Sequence, residues 1–160
     1  MILLDDKRIS RTLQRMSYQI VEEAREMDIC LVGLNERGYS LAGQMKPIIE
    51  NAASEKIPLL KLDTNDDSEF SFPEPISSNQ ILVVVDDVIF SGSTMHTALN
   101  KIKELSRFEK IYIAVLVDRG HRKYPLHAGI VGLHVPTKLN EEVELKLHNN
   151  SPKEVILIQK

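Results

Sequence analysis

One cysteine stands among 160 residues. A lone thiol excludes an internal disulfide framework. Set inside the apolar run ICLVGL, Cys30 reads as a small buried hydrophobe suited to a reducing compartment. No apolar run approaches the ~20 residues of a membrane span, and MILLDDKRIS stops being apolar too soon for a signal peptide. A cytoplasmic location is expected. An excess of one charge sign is also missing. Twenty basic residues face 23 acidic ones for a net charge of −3, so no global field draws polyanions to the surface. Neither GxxxxGK[ST] nor GxGxxG occurs, which excludes the nucleotide P-loop and the dinucleotide turn. His96, His121, His127, His134 and His148 lack metal-ligand spacing. No repeat or linker divides the chain, so residues 1–160 are expected to form a single domain.

What is present alternates. Ile9, Leu13, Met16, Ile20, Ala24 and Met27 recur at helical spacing and predict a helix over 6–27, with Asp5 or Asp6 as its cap. ICLVGL (29–34), IPLLKL (57–62), ILVVVD (81–86), IYIAVLVD (111–118) and GIVGLHV (129–135) are continuous apolar runs, the mark of strands covered on both faces of a parallel sheet. A polar turn, NERG, is expected before a helix over 39–52, which Pro47 should kink or shorten. A further helix is predicted over 94–106, and a late hairpin in the C-terminal segment. Residues 63–80, DTNDDSEFSFPEPISSNQ, carry five acids and no Lys or Arg; they read as an exposed mobile loop. The whole predicts an open, mostly parallel α/β sheet with helices on both faces. In such a sheet ligands bind beyond the carboxyl ends of the strands.

The densest polar group at such an exit is DDVIFSGST (86–94). Val88, Ser91, Gly92, Ser93 and Thr94 lead into a helix. There unpaired amides, the positive end of the helix dipole and three hydroxyls converge into a phosphate cradle built without lysine. Asp86 and Asp87 sit where such a ligand continues into its sugar. Two ionised carboxylates accept from two vicinal hydroxyls, and their mutual repulsion calls for donors or a cation. Either acid alone would read as a helix cap; the whole string points to a ribose phosphate.

VVVDDVIFSGST resembles the phosphoribosyl-diphosphate signature of the type I phosphoribosyltransferases. AVLVDRGHRKYPLHAGIVGLHVPT (114–137) and CLVGLNERGYSLAGQM (30–45) are similar to segments of the bifunctional pyrimidine-operon attenuator/uracil phosphoribosyltransferases. The resemblance implies the type I phosphoribosyltransferase fold, with a small hood region. It implies magnesium-dependent transfer of phosphoribosyl from phosphoribosyl diphosphate to a pyrimidine such as uracil, as in pyrimidine salvage. Asp86, Asp87 and Arg37 would carry the reaction. Asn35, Glu36, Arg37 and Gly38 would hold diphosphate; Phe90, Val135, Pro136 and Thr137 would lie on the base side. Asp118 is expected as a magnesium ligand, with Arg119 beside it on the diphosphate side. A homodimer or homotetramer is implied. Phe90 stands where purine enzymes usually carry an acid and cannot take a proton, which favours a pyrimidine.

One departure opens alternatives. The 63–80 segment is shorter and more acidic than the basic lid of relatives, and an acidic lid over a polyanion is unfavourable without a cation. That admits a nucleotide-sensing RNA-binding regulator of pyrimidine genes with weak or no catalysis, or a plain ribonucleotide-binding protein. RNA is the less favoured partner. Its candidate contacts are two small clusters, Arg8/Arg11/Arg15 and Arg119/His121/Arg122/Lys123, the first diluted by Glu22 and Glu23.

Overall fold

A computed structural model describes residues 1–160. Five parallel strands form its central sheet: β2 (Asp28–Leu34), β3 (Leu59–Leu62), β4 (Gln80–Ile89), β5 (Lys110–Asp118) and β6 (Ile130–His134), in the order β3-β2-β4-β5-β6. Their continuous aliphatic runs reflect burial on both faces. In β4, Ile81, Val83 and Val85 join the core beneath α1 (Asp6–Ala24) and α2 (Asn35–Ala53), while Leu82 and Val84 join the core beneath α3 (Ser93–Lys101). Beyond the acid pair the alternation inverts: Val88 packs towards the first core and Ile89 into the second. The strand thus changes its presentation at Asp86–Asp87.

α1 begins where Asp5 accepts from the Arg8 amide at 2.8 Å, and it buries Ile9, Leu13, Met16, Ile20 and Ala24. α2 departs from expectation. NERG is not a separate turn but the first turn of this helix, and the helix continues through Pro47 to Ala53. Leu41, Met45 and Ile49 are fully buried beneath it. At about 1.5–3 kcal/mol each they outweigh the ~3 kcal/mol that an internal proline costs. Gly38 permits this packing: a Cβ there would lie 2.5 Å from the Val85 carbonyl oxygen, so the helix start rests directly on β4. α3 is shorter than expected, because Ile102 turns extended and bridges to Phe70.

The 63–80 segment is the main correction. It is not a loose surface loop. It is the crossover from β3 over β2 to β4, and it seals the α3-side face of the sheet. Phe70 and Phe72 stack edge to face at 5.1 Å, Phe72 meets Phe108 at 5.2 Å, and Ile76 packs into the same core. Two of its acids, Asp66 and Glu69, face lysines. Lys101 donates to the Asp63 and Asp66 carbonyls at 2.8 and 2.7 Å, and Lys103 pairs with Glu69 at 2.7 Å.

The late hairpin is present as β7 (Glu141–His148) and β8 (Ser151–Gln159). The N-terminal residues add β1 (Ile2–Leu4) to its edge, giving an antiparallel sheet β1-β8-β7 that the sequence reading had missed. Val143, Leu145 and Val155 fasten this hood to the α1/α2 core, beside the carboxyl ends of β2 and β4.

Candidate functional site

The β4 exit gathers the expected residues. Asp86, Val88, Phe90, Ser91, Gly92, Ser93 and Thr94 line one cavity of about 100 Å³. Gly92 caps α3 in the left-handed region at φ 87°, a conformation that disfavours side chains. The amides of Phe90, Ser91, Gly92, Thr94 and Met95 have no acceptor within the protein, and Ser93 donates only to the Ser91 hydroxyl at 3.2 Å. Five free amides and the helix dipole at one small cavity make an anion site.

Asp86 is almost wholly buried, 6% exposed, while Asp87 is half-buried beside it. Burial first, then the Asp87 charge, pushes the Asp86 carboxyl well above the usual carboxylate range. Its Oδ1 accepts from the Asp87 amide at 2.9 Å. The pair therefore resists carrying two charges until a donor or cation arrives.

The β2 exit is differently disposed. Asn35, at φ 57°, exchanges hydrogen bonds with Thr64: the Thr64 amide donates to Oδ1 and Nδ2 donates to the hydroxyl, both at 3.0 Å. Glu36 pairs with Lys61. Arg37 donates through Nε to the Leu145 carbonyl at 2.8 Å and reaches Glu144 at 3.4 Å, tying α2 to the hood. The residues expected to bind diphosphate are together, but each of these three side chains already has a protein partner.

The β5 exit carries two further named residues, Asp118 and Arg119. Asp118, expected to hold magnesium, gives both oxygens to Arg122 at 2.7 and 2.9 Å and also receives the Gly120 amide. That pairing holds its carboxyl below the ordinary range despite partial burial. Arg119 meets Phe90 and Thr137. Its guanidinium covers the Phe90 ring at 4.2 Å, and its Nε donates to the Thr137 hydroxyl at 2.9 Å. Phe90, Arg119 and Thr137 form one wall, with Val135 anchored nearby by its amide to the Asp118 carbonyl at 2.9 Å and Pro136 exposed between. His121 joins it, its Nε2 2.6 Å from the Thr137 carbonyl oxygen. The contacts of Arg119 and His121 with Thr137 are not legible in the sequence, since no spacing announces a contact across 16 or 18 residues.

Some members of the basic clusters have backbone partners, while Arg11 and Lys123 stay exposed. Arg15 donates to the Gly132 carbonyl at 2.7 Å, covering the edge of β6, and Arg8 reaches the Leu3 carbonyl at 3.4 Å. No helix is long and apolar enough to cross a membrane.

Comparison with known proteins agrees with this geometry. The phosphoribosyl transferase domain model matches residues 2–145. Bifunctional protein PyrR of Haemophilus ducreyi is 33% identical over 171 residues, covering 98% of this chain and 96% of that protein. Its counterpart in Herpetosiphon aurantiacus is 37% identical over 157 residues, covering 91% and 88%. Among solved structures, a hypoxanthine phosphoribosyltransferase of Trypanosoma cruzi superposes with a TM-score of 0.76 over 99% of this chain and 96% of that one at 12% identity, which speaks to the fold alone. Sheet order, acid pair, free amides and matched length converge: the chain belongs to the phosphoribosyl transferase domain family and has the type I fold.

Proposed function

We propose that the protein transfers a phosphoribosyl group from phosphoribosyl diphosphate to a pyrimidine base, most simply uracil. The observation that carries this is Asp86 lining one cavity with the free amides of Phe90, Ser91, Gly92, Thr94 and Met95, with Asp87 next to it in the chain. The amides and the Ser91, Ser93 and Thr94 hydroxyls receive the 5′-phosphate; the acids accept from the ribose hydroxyls. Phe90 offers the base an apolar ring that takes no proton, while Arg119 and Thr137 beside it supply donor groups suited to a carbonyl-bearing base.

Attack by a base nitrogen forms the N–C1 bond and breaks the C1–O bond to diphosphate through an oxocarbenium-like transition state, as in glycoside chemistry, and the proton of that nitrogen leaves to solvent or to the departing diphosphate. The chain's part is to position both reactants and exclude water. Magnesium fits the acid pair: it is commonly held by one or two carboxylates together with substrate phosphates, and a cation would relieve the repulsion between Asp86 and Asp87. When bound, it supplies charge neutralisation for the leaving diphosphate. The match to bifunctional PyrR proteins supports phosphoribosyl chemistry, and assembly as a homodimer or homotetramer accompanies this reading. Diphosphate release from phosphoribosyl diphosphate and magnesium, measured with each free base in turn, tests it. Turnover with uracil is expected, and silence with every base removes it.

A second reading is a nucleotide-sensing regulator with slow chemistry. It is favoured by the β2 exit, where Asn35, Glu36 and Arg37 already have protein partners, so diphosphate must displace internal contacts. It predicts tighter binding of uridine nucleotides than of phosphoribosyl diphosphate, together with salt-dependent affinity for a specific RNA stem-loop. Equal weak binding of native and scrambled stem-loops argues against it.

A further inference from the structure

The three carbonyls that precede the phosphate cradle are all held from behind by one segment. The Ile89 carbonyl accepts from the Arg119 amide at 3.0 Å, and the Ser91 carbonyl from the Lys123 and Tyr124 amides at 2.9 and 3.1 Å. Between them, the Phe90 carbonyl accepts from a side chain, Arg122 Nη1, at 3.1 Å. A trans peptide unit is planar, with its C=O and N–H pointing opposite ways. Drawing these carbonyls back to residues 119–124 turns the amides of Phe90, Ser91 and Gly92 forward, towards the cavity their residues line.

We infer that Arg122 is a positioning residue that sets the direction of the cradle's amides; this rests on the phosphate-binding reading of that loop. The guanidinium is not itself free to meet a ligand. Asp118 grips it through two bonds at 2.7 and 2.9 Å, and its Nε donates to the Leu126 carbonyl at 3.1 Å. Its side chain is 20% exposed. The fork is thus fixed from two sides, and the Nη1 hydrogen not given to Asp118 faces the Phe90 carbonyl at 3.1 Å, nearer than the Gly120 carbonyl at 3.4 Å. The outer two carbonyls are held by backbone and survive any substitution; the middle one depends on this side chain alone. A lysine at 122 keeps the charge but cannot serve Asp118, Leu126 and Phe90 together.

The test compares uridine 5′-monophosphate with uridine by calorimetry in the wild type, in Arg122→Lys and in Asp118→Asn, which keeps the side-chain volume and frees one arm of the fork. In the wild type the phosphate is expected to improve affinity more than about tenfold, the scale of one or two hydrogen bonds to a charged group. In Arg122→Lys that advantage falls about tenfold while uridine affinity holds, and Asp118→Asn shows a smaller loss of the same kind. Should Arg122→Lys fail to fold, the Asp118→Asn result decides. A phosphate advantage kept in the folded variants, or an equal loss for both ligands, overturns the positioning role while leaving the site. A wild type with no phosphate advantage overturns the site reading and the positioning role with it.

Discussion

The exit of β4 leaves five amides without acceptors around Gly92, whereas the exit of β2 has given Asn35, Glu36 and Arg37 protein partners in Thr64, Lys61 and the hood. Both lie at carboxyl ends of neighbouring strands in one sheet, and both open a helix. Their difference is preorganisation. A phosphate meeting the β4 exit gains bonds from five amides without breaking any, but a diphosphate meeting the β2 exit must exchange protein contacts for its own, which offsets part of the gain. The two ends of one ligand therefore face unequal welcome.

The sharpest way to break this contrast is at the acids. Asp87→Asn should weaken phosphoribosyl-diphosphate binding more than about tenfold, about 1.4 kcal/mol, by calorimetry. Unchanged affinity would mean that the acids do not touch the ribose. Next in size is the loop itself. In Gly92→Ala the new methyl would lie in ordinary contact with Tyr124 and Leu126, 3.5–3.6 Å away, so the cost is the backbone at φ 87° rather than a clash. About 1–2 kcal/mol of stability should be lost, lowering Tm by a few degrees, together with several-fold weaker phosphate binding.

Asp86 offers a test with the opposite sign for stability. Its native carboxyl protonates more readily than in the unfolded chain, so the folded state holds the extra proton. Wild-type stability is fully present below the unfolded carboxylate range and declines as pH rises from there through the raised native value. Asp86→Asn should remove that decline. The variant melts higher than wild type at neutral pH, the two curves converge in acid, and ribose-phosphate binding is lost at both. A variant less stable at neutral pH would show that the buried charge is compensated within the protein.

The sheet and the β4 site could be read from the sequence because both are local. A fully buried strand shows as an uninterrupted aliphatic run, and acids followed by Ser-Gly-Ser-Thr place anion-binding groups within one turn. What stayed hidden is held by distant partners. Residues 63–80 look loose because Phe70, Phe72 and Ile76 are isolated among polar residues, and the lysines that pin the segment lie more than thirty positions on, at 101 and 103. β1 is three residues long and means nothing until Ile2 meets Ile156. The commitments of Arg37, Arg119 and Arg122 are equally invisible, since an arginine in a turn reads the same whether it waits for a phosphate or holds a carbonyl.

Arg37 gives the smallest and most discriminating effect. If the β2 exit is chiefly a joint between α2 and the hood, Arg37→Ala removes a bond to the Leu145 carbonyl and a half-exposed pair with Glu144. A bond to a backbone carbonyl is worth about 1 kcal/mol and an exposed ion pair less, so Tm should fall by a few degrees at most. Binding of a ribose 5-monophosphate, seated at the other exit, should change less than about threefold. Diphosphate binding separates the two views. A joint predicts a similarly small change, because Arg37 was never available; a true ligand arginine predicts a loss of about tenfold or more, the scale of a charge-assisted hydrogen bond. Measuring both ligands on one variant shows whether the two exits share the work or whether the β4 exit carries it alone.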